Sequence, residues 1–322
     1  MKQVITDNYA IYNGDCVEIT RQLPDNCIDL SIYSPPFAEL YTYSNSIADM
    51  GNSTNSDEFY THFKFLVKEL ARVVKQGRNV CVHCMDIPKN GDMGLDNFPG
   101  DIIELHKKNG FKYWDRKNIW KEPLRVAIRT RQRALMHMQL VNDTAKCRGA
   151  LADYLLIFKK NGENKIPIEK PYGLTQYDGD LELMNKIELE EYLSLKEKYV
   201  NYKDDKTNRL SQFIWRRYAS SAWEDIRANR ALCYKPARDK DDDRHVCPLQ
   251  LDIVTRSVQL YTNKKEIVFT PFMGVGTEVY GAIINDRMGI GIELKPSYYN
   301  QALKNLKDAQ PEKDSMSQME LL

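Results

Sequence analysis

The sequence predicts an α/β fold on a largely parallel sheet, with a second region inserted between its two halves. The last third carries the clearest signal. Strand Ile267 to Thr270, a glycine loop, helix Glu278 to Asn285, strand Met288 to Glu293 and helix Ser297 to Asn305 follow in order. That βαβα order implies parallel strands joined by a right-handed crossover. The first 160 residues alternate strand and helix patterns too. Residues 161–243 break the rhythm, with Pro167, Pro171, Gly173 and a highly charged stretch from Lys235 to Arg244.

Each element has its own warrant. Ala10-Ile11-Tyr12 and Ile28 to Tyr33 are short apolar runs that read as strands. Glu58 to Val74 places Phe59, Phe63, Leu66, Val67, Leu70, Val73 and Val74 at a helical period. Gly77 stops it, and Asn79 to His83 reads as the next strand. Asp101 to Lys108 reads as a short helix ended by Asn109-Gly110, and Tyr154 to Phe158 as a strand ended by Asn161-Gly162. Ala38 to Asp57 is polar and aperiodic. A loop of that length in a compact domain points to function, and it is expected to be mobile and to close over substrate. Leu181 to Tyr199 is a charged helix candidate. Phe213-Ile214-Trp215-Arg216-Arg217-Tyr218 either packs the inserted region down or touches nucleic acid. Leu249 to Tyr261 is an amphipathic helix through Leu251, Ile253, Val254 and Val258. The tail from Gln310 is polar and expected to be disordered.

Composition narrows the class. A 42% hydrophobic content supports a real core, and the 28% charged fraction is that of a soluble protein. No apolar run is long enough to span a membrane, and the N-terminus lacks a secretory pattern, so a cytoplasmic address is expected. The seven cysteines are an odd number scattered through apolar segments, which fits reduced thiols. Cys81-Val82-His83-Cys84 resembles half of a zinc site, but no second Cys-x-x-Cys completes it, so no metal is expected. Net charge is only +1, yet residues 112 to 148 hold ten Lys/Arg against three acids. With Trp114, Trp120 and His137 interleaved, this stretch is a candidate DNA-facing surface, carried by Trp120, Lys121, Arg125, Arg129, Arg131 and Arg133. The plainer reading is a solvated helix face.

Two loops carry the chemistry. Phe272-Met273-Gly274-Val275-Gly276-Thr277 follows a strand and opens a helix, so its glycines allow close backbone approach and the helix start offers free N–H groups. Glu293 ends the next strand, 17 residues past Gly276, where an acid can accept hydrogen bonds from ribose hydroxyls. Val279 stands where a third glycine would complete a dinucleotide loop; its presence weighs against NAD and is compatible with adenosyl-methionine. The other loop, Ser34-Pro35-Pro36-Phe37, ends the strand Ile28 to Tyr33. Ser34 Oγ and the Pro35 carbonyl are acceptors suited to a planar amine, the prolines preorganise them, and Phe37 can stack on a ring. Such acceptors favour the pyramidal amine that develops as a methyl group arrives.

These motifs, in this order, resemble the β-class of DNA amino-methyltransferases, in which a Ser/Asp/Asn-Pro-Pro-aromatic turn precedes the recognition region and Phe-x-Gly-x-Gly comes near the C-terminus. The resemblance covers most of residues 8 to 308. It implies a Rossmann-like methyltransferase sheet, circularly permuted so that the catalytic motif precedes the cofactor motif. Residues 1–160 would be the catalytic half, 161–243 the target-recognition region, 244–309 the cofactor half and 310–322 a disordered tail. The implied cofactor is S-adenosyl-L-methionine and the implied partner double-stranded DNA, whose target base must leave the helix. Ser34, Pro35, Pro36 and Phe37 would be catalytic. Asp15, in Asn13-Gly14-Asp15-Cys16, inherits a contact to the adenine end of the cofactor. Arg244-His245-Val246-Cys247-Pro248-Leu249-Gln250 is similar to the segment beside the cofactor's methionine part, so Cys247, Pro248 and Gln250 join Phe272, Gly274, Gly276, Thr277 and Glu293 as cofactor contacts. Cys81 to Asp86, Ile119 to Pro123 and Arg217 to Ser221 are similar to orphan-type methylases of phages and prophages. Serine at position 34 resembles the N4-cytosine enzymes, with N6-adenine the alternative and a catalytically inactive DNA-binding regulator a further one. Ring-carbon methylation is disfavoured, because it uses a Pro-Cys pair that this chain lacks. A homodimer is compatible with the sequence, and no partner nuclease is identifiable from it.

Overall fold

The computed structural model describes residues 2–36, 56–89, 94–130, 135–199, 208–238 and 248–311. Phe37, Arg131, Arg133, Cys247, the bulk of the Ala38 to Asp57 loop and the tail from residue 312 lie outside the described residues, as does the side chain of Arg129.

Eleven strands and ten α-helices are described. In chain order they are β1 (Lys2–Ile5), β2 (Tyr9–Asn13), α1 (Cys16–Gln22), β3 (Ile28–Tyr33), α2 (Ser56–Val73), β4 (Val74–Cys84), β5 (Ile87–Pro88), β6 (Leu95–Asp96), α3 (Phe98–Lys108), β7 (Phe111–Ile119), α4 (Pro123–Thr130), α5 (His137–Asn142), β8 (Asp153–Lys160), α6 (Lys186–Tyr199), α7 (Arg209–Ala219), β9 (Ala222–Trp223), α8 (Leu251–Tyr261), β10 (Ile267–Thr270), α9 (Thr277–Ile284), β11 (Met288–Glu293) and α10 (Pro296–Leu306). Nine of the strands form one sheet in the order β1-β2-β11-β10-β3-β4-β8-β7-β9. Its centre, β2 through β4, is parallel, while β1, β8 and β7 pair antiparallel with their inner neighbours.

The centre of the sheet is buried on both faces, and β3 is buried at all six positions, the polar Asp29 and Ser31 included. On one face, α2 lays Phe59, Phe63, Leu66, Val67 and Leu70 against Tyr33, Val80 and Val82, joined by Cys16 and Ile19 of α1 and Ile102 of α3. On the other, Ile253, Val254 and Val258 of α8 cover Leu30, Ile32 and Cys81. On that same side α9 and α10 meet around Ile11, Met273, Val279 and Ala302. Asp29 is buried at the start of β3, held by Lys75 Nζ at 2.6 Å and the Ile267 N–H at 3.0 Å.

Residues 174–218 build a further apolar core from Tyr177, Tyr192, Leu210, Phe213, Ile214 and Tyr218, with Leu260 of α8 against it. The aromatic stretch 213–218 is therefore mainly packing, and Trp215 points outward. A buried ion network fastens this region to α8. Arg230 Nη1 lies 2.7 Å from both Asp178 and Asp252, and Arg256 Nη2 lies 2.9 Å from Asp225.

Several sequence expectations need correction. Residues 112–119 of the basic stretch are not a helix face but strand β7, and Lys117 within it is buried against Asp115 at 2.8 Å. The helix expected from Leu181 begins at Lys186, after a short 3-10 turn at Leu181–Leu183. The Asp101 helix begins earlier, at Phe98, capped by the Asn97 side chain accepting from the Gly100 N–H at 3.1 Å. No helix among the described residues is long and apolar enough to cross a membrane. Cys81 and Cys84 belong to the cores on opposite faces of the sheet, so they cannot share a ligand.

Candidate active site

The parallel centre of the sheet delivers every chain reversal of interest to one edge. β3 and β10 are adjacent, with Leu30 facing Val268 and Ser31 facing Phe269. Their carboxyl ends lead directly into Ser34-Pro35-Pro36 and into the glycine loop. β11, next to β10, ends at Glu293, and β2, next to β11, leads into Asp15. Ligands of open α/β sheets bind at such an edge.

Hydrogen bonds lock these loops together. The Asn13 side chain donates to the carbonyls of Glu293 (2.8 Å) and Leu294 (3.1 Å), and the Gly14 N–H donates to Glu293 O at 3.1 Å. Asp15 caps α1 by accepting from the Glu18 N–H at 2.8 Å. Glu293 accepts from the Gly274 N–H at 2.7 Å and from the Lys295 N–H at 2.8 Å. Gly274 and Gly276 both adopt positive φ, 55° and 95°, which the loop requires of glycine. A side chain at Gly274 would meet nothing within 4 Å, so the loop opens onto free space there.

The Ser34-Pro35-Pro36 turn is braced by aromatics. Tyr33, the residue before Ser34, is fully buried, and its ring lies 5.8 Å from that of Phe272 in the glycine loop. The Tyr33 hydroxyl is 3.1 Å from His106 Nε2, and His106 Nδ1 is 2.8 Å from the Ile102 carbonyl. Nδ1 therefore carries the proton, and Nε2 accepts from Tyr33. Burial pushes His106 down to about 4, which keeps it neutral. Pro35 is buried, and Ser34 and Pro36 are half-buried.

Beyond Ser34 the edge continues through β4, β8 and β7. Asp153 Oδ2 lies 3.0 Å from His83 Nε2 and 2.5 Å from Lys121 Nζ. Burial alone would raise the Asp153 carboxyl, but Lys121 and His83 overcome it and hold the group well below the usual range. Lys121, expected on the DNA-facing surface, is thus engaged with an acid and only 14% exposed. Trp120 beside it is 48% exposed, and Arg125 on α4 is exposed.

Residues around the glycine loop suit a cofactor with an amino-acid portion. Thr270 Oγ1, Thr277 Oγ1 and Gln250 Oε1 are buried there without hydrogen-bond partners. Pro248 and Gln250 stand at the start of α8, where Gln250 occupies the cap position without making a side-chain cap bond. Sequence reasoning missed Asn13, His83, Asp153 and Glu278. Asn13 and His83 were visible inside quoted motifs without being given a role at the site, and Asp153 and Glu278 read as ordinary strand-start and helix-start residues.

A family model described as DNA methylase matches residues 28–304. The chain belongs to that DNA methylase family. The match runs from the first residue of β3 nearly to the end of α10, so it includes both loops of the candidate site. The methylase is 22% identical over 322 residues to the type II methyltransferase M.BglI of Bacillus subtilis, covering 92% of this chain and 85% of that one. In structure it is similar to the PvuII DNA methyltransferase, described as cytosine-N4-specific, with a TM-score of 0.61 at 16% identity, covering 98% of this chain and 92% of the other. It is also similar to a DNA modification methylase of Thermus thermophilus solved in complex with S-adenosyl-L-methionine, with a TM-score of 0.60 at 16% identity, covering 94% and 96%. At such identities the structural likeness speaks to the fold.

Proposed function

We propose that the methylase transfers a methyl group from S-adenosyl-L-methionine to the exocyclic amine of a base flipped out of double-stranded DNA, with N4 of cytosine as the acceptor. The observation that carries this reading is the exit of Ser34-Pro35-Pro36 and the glycine loop from adjacent parallel strands at one edge. S-adenosyl-L-methionine would supply a methyl group activated by its sulfonium. Gly274, Gly276 and Thr277 would hold its body, Glu293 its ribose, Asp15 its adenine end, and Pro248 and Gln250 its methionine part. The open space at Gly274 and the three unpartnered oxygens support that fit.

The chain's own work is orientation. Ser34 Oγ and the Pro35 carbonyl accept the N–H bonds of the target amine, so its lone pair turns out of conjugation and toward the methyl group. The bracing of Tyr33 by Phe272 and His106 holds those acceptors still. Of the six residues expected to face DNA, Trp120 and Arg125 are the described ones that are exposed, and they serve the DNA backbone and bases. Residues 161–243 read the target sequence, supported by the docking of β9 beside the end of β7, next to Trp120.

Mass spectrometry of nucleosides from DNA treated with the protein and cofactor tests the reading. N4-methylcytosine is expected. N6-methyladenine would overturn the choice of base alone. Absence of any methylated base, with salt-sensitive DNA binding retained, would support a regulator instead.

A further inference from the structure

Glu278 is the second residue of α9, two places after Gly276, and only 4% exposed. It stands one turn before Gly281 at the start of α9, a helix that packs against α8, capped at Gln250, and against β10, which ends at Thr270, and its neighbour in sequence is Thr277. The helices meet closely, since a Cβ on Gly281 would stand 2.5 Å from Val254 and 3.3 Å from Leu251. All three ends present a buried oxygen without a hydrogen-bond partner: Thr270 Oγ1, Gln250 Oε1 and Thr277 Oγ1. The junction is rich in acceptors and poor in positive charge.

The neighbouring cations are committed elsewhere. On α8, Arg256 pairs with Asp225, while Asp252 is held by Arg227 and Arg230. Before α10, the Lys295 ammonium lies over the Tyr298 ring at 4.7 Å, and in the turn ahead of α8 Arg238 lies over Tyr234 at 4.5 Å. The charged group that bears on Glu278 is Glu293 of β11, another acid. Burial first, and Glu293 after it, push the Glu278 carboxyl up to about 8, against the pull of its own backbone N–H. The two other acids at this edge, Asp15 and Glu293, already accept backbone N–H bonds.

We propose that Glu278 is the counter-ion for the positive charge of the methyl donor, protonated in the free protein and ionised when the donor binds, so that cofactor binding releases a proton. This rests on the reading that the cofactor is S-adenosyl-L-methionine, whose sulfonium and ammonium outnumber its single carboxylate. A cation placed within a few ångströms of a buried carboxyl lowers its proton affinity by roughly one to three pH units. The proton goes to solvent, and the carboxylate left behind offsets the cofactor's charge in a site that holds no other free anion partner for it among the acids described.

Isothermal titration of the full-length protein with S-adenosyl-L-methionine, in buffers of different ionisation enthalpy, counts the protons. About 0.4–0.9 proton per cofactor should be released at pH 7, and affinity should rise about two- to eightfold from pH 6 to pH 7. Glu278→Gln should bind without proton release and with affinity independent of pH in this range. The substitution should not unfold the protein. A carboxyl raised above its unfolded value costs stability as pH rises from about 4.5 through about 8, and Gln removes that cost, so its thermal midpoint at pH 7 should be at least that of the parent. Binding by the parent without proton release would overturn the proposal and leave the cofactor reading intact, as would equal release by Glu278→Gln. No binding at any pH would overturn both.

Discussion

Ser34 lies half-buried just past the end of β3, and in the proposed mechanism removing its hydroxyl would leave the target amine one acceptor, the Pro35 carbonyl. Ser34→Ala should slow methyl transfer by about 100-fold, a loss of the size seen when one preorganised polar contact is removed from a transition state. Cofactor affinity, measured by titration, should stay within twofold, on the order of experimental scatter. Equal losses in both would make Ser34 structural. His106 gives a second residue-scale test. Its proton affinity is depressed by burial to about 4 from an ordinary 6.5. The unfolded chain therefore binds the extra proton first, so the stability His106 contributes is complete above pH 6.5 and lost as pH falls toward 4. The loss totals about 3 kcal/mol. In urea unfolding, the stability advantage of the parent over His106→Gln should be about 1 kcal/mol larger at pH 7.0 than at pH 5.5, a comparison in which the opposite pH dependence of Glu278 cancels. Ser34, Glu293 and the glycines were legible because their motifs carry unusual residues at loop positions. His106 and Glu278 were not, because only burial gives a lone histidine or a helix-start glutamate its character.

At the scale of elements, α9 packs tightly on α8 at Gly281, where an added Cβ would stand 2.5 Å from Val254. Gly281→Ala should force them apart and lower stability by about 1–3 kcal/mol in urea unfolding. An unchanged midpoint would mean the helices yield freely. The junction of β4, β8 and β7 makes a sharper contrast. Lys121→Ala strips a buried carboxylate of its cation and should destabilise the fold by about 3–5 kcal/mol. Strand β7 escaped the sequence reading because its exposed residues outnumber its buried ones, so no apolar alternation marks it. Strand β1 is an exposed edge and α1 has only seven residues, too short for a period to emerge. The long helix α2 and the buried strands β3, β4 and β10 were legible because each carries an apolar pattern set by the face it must cover.

For the whole molecule, the basic stretch divides into parts with different duties. Lys117 and Lys121 hold the sheet edge together, whereas Arg125 and Trp120 face outward. Arg125→Ala should weaken DNA binding and reduce the salt slope by about 1, while leaving the thermal midpoint and cofactor affinity unchanged. An unchanged slope would remove α4 from the DNA surface. The inserted region is fastened to α8 by buried ion pairs and lends β9 to the sheet. Composition marked it as different in character but gave no hint of that anchoring, because Asp178, Asp225 and Asp252 meet arginines up to 78 residues away in sequence.

The adjacency of β3 and β10 has a consequence for synthesis. Leu30 and Ile32 are completed early on the ribosome, but the strand that covers their open side is made 234 residues after Tyr33. At about 5–20 residues per second that interval is roughly 12–47 s. Throughout it, a flat apolar strand edge has β4 on one side and nothing of this chain on the other. The nascent protein is therefore an open template for wrong pairing until about its last sixth emerges, and holding by chaperones during translation should decide its yield more than the stability of the finished fold.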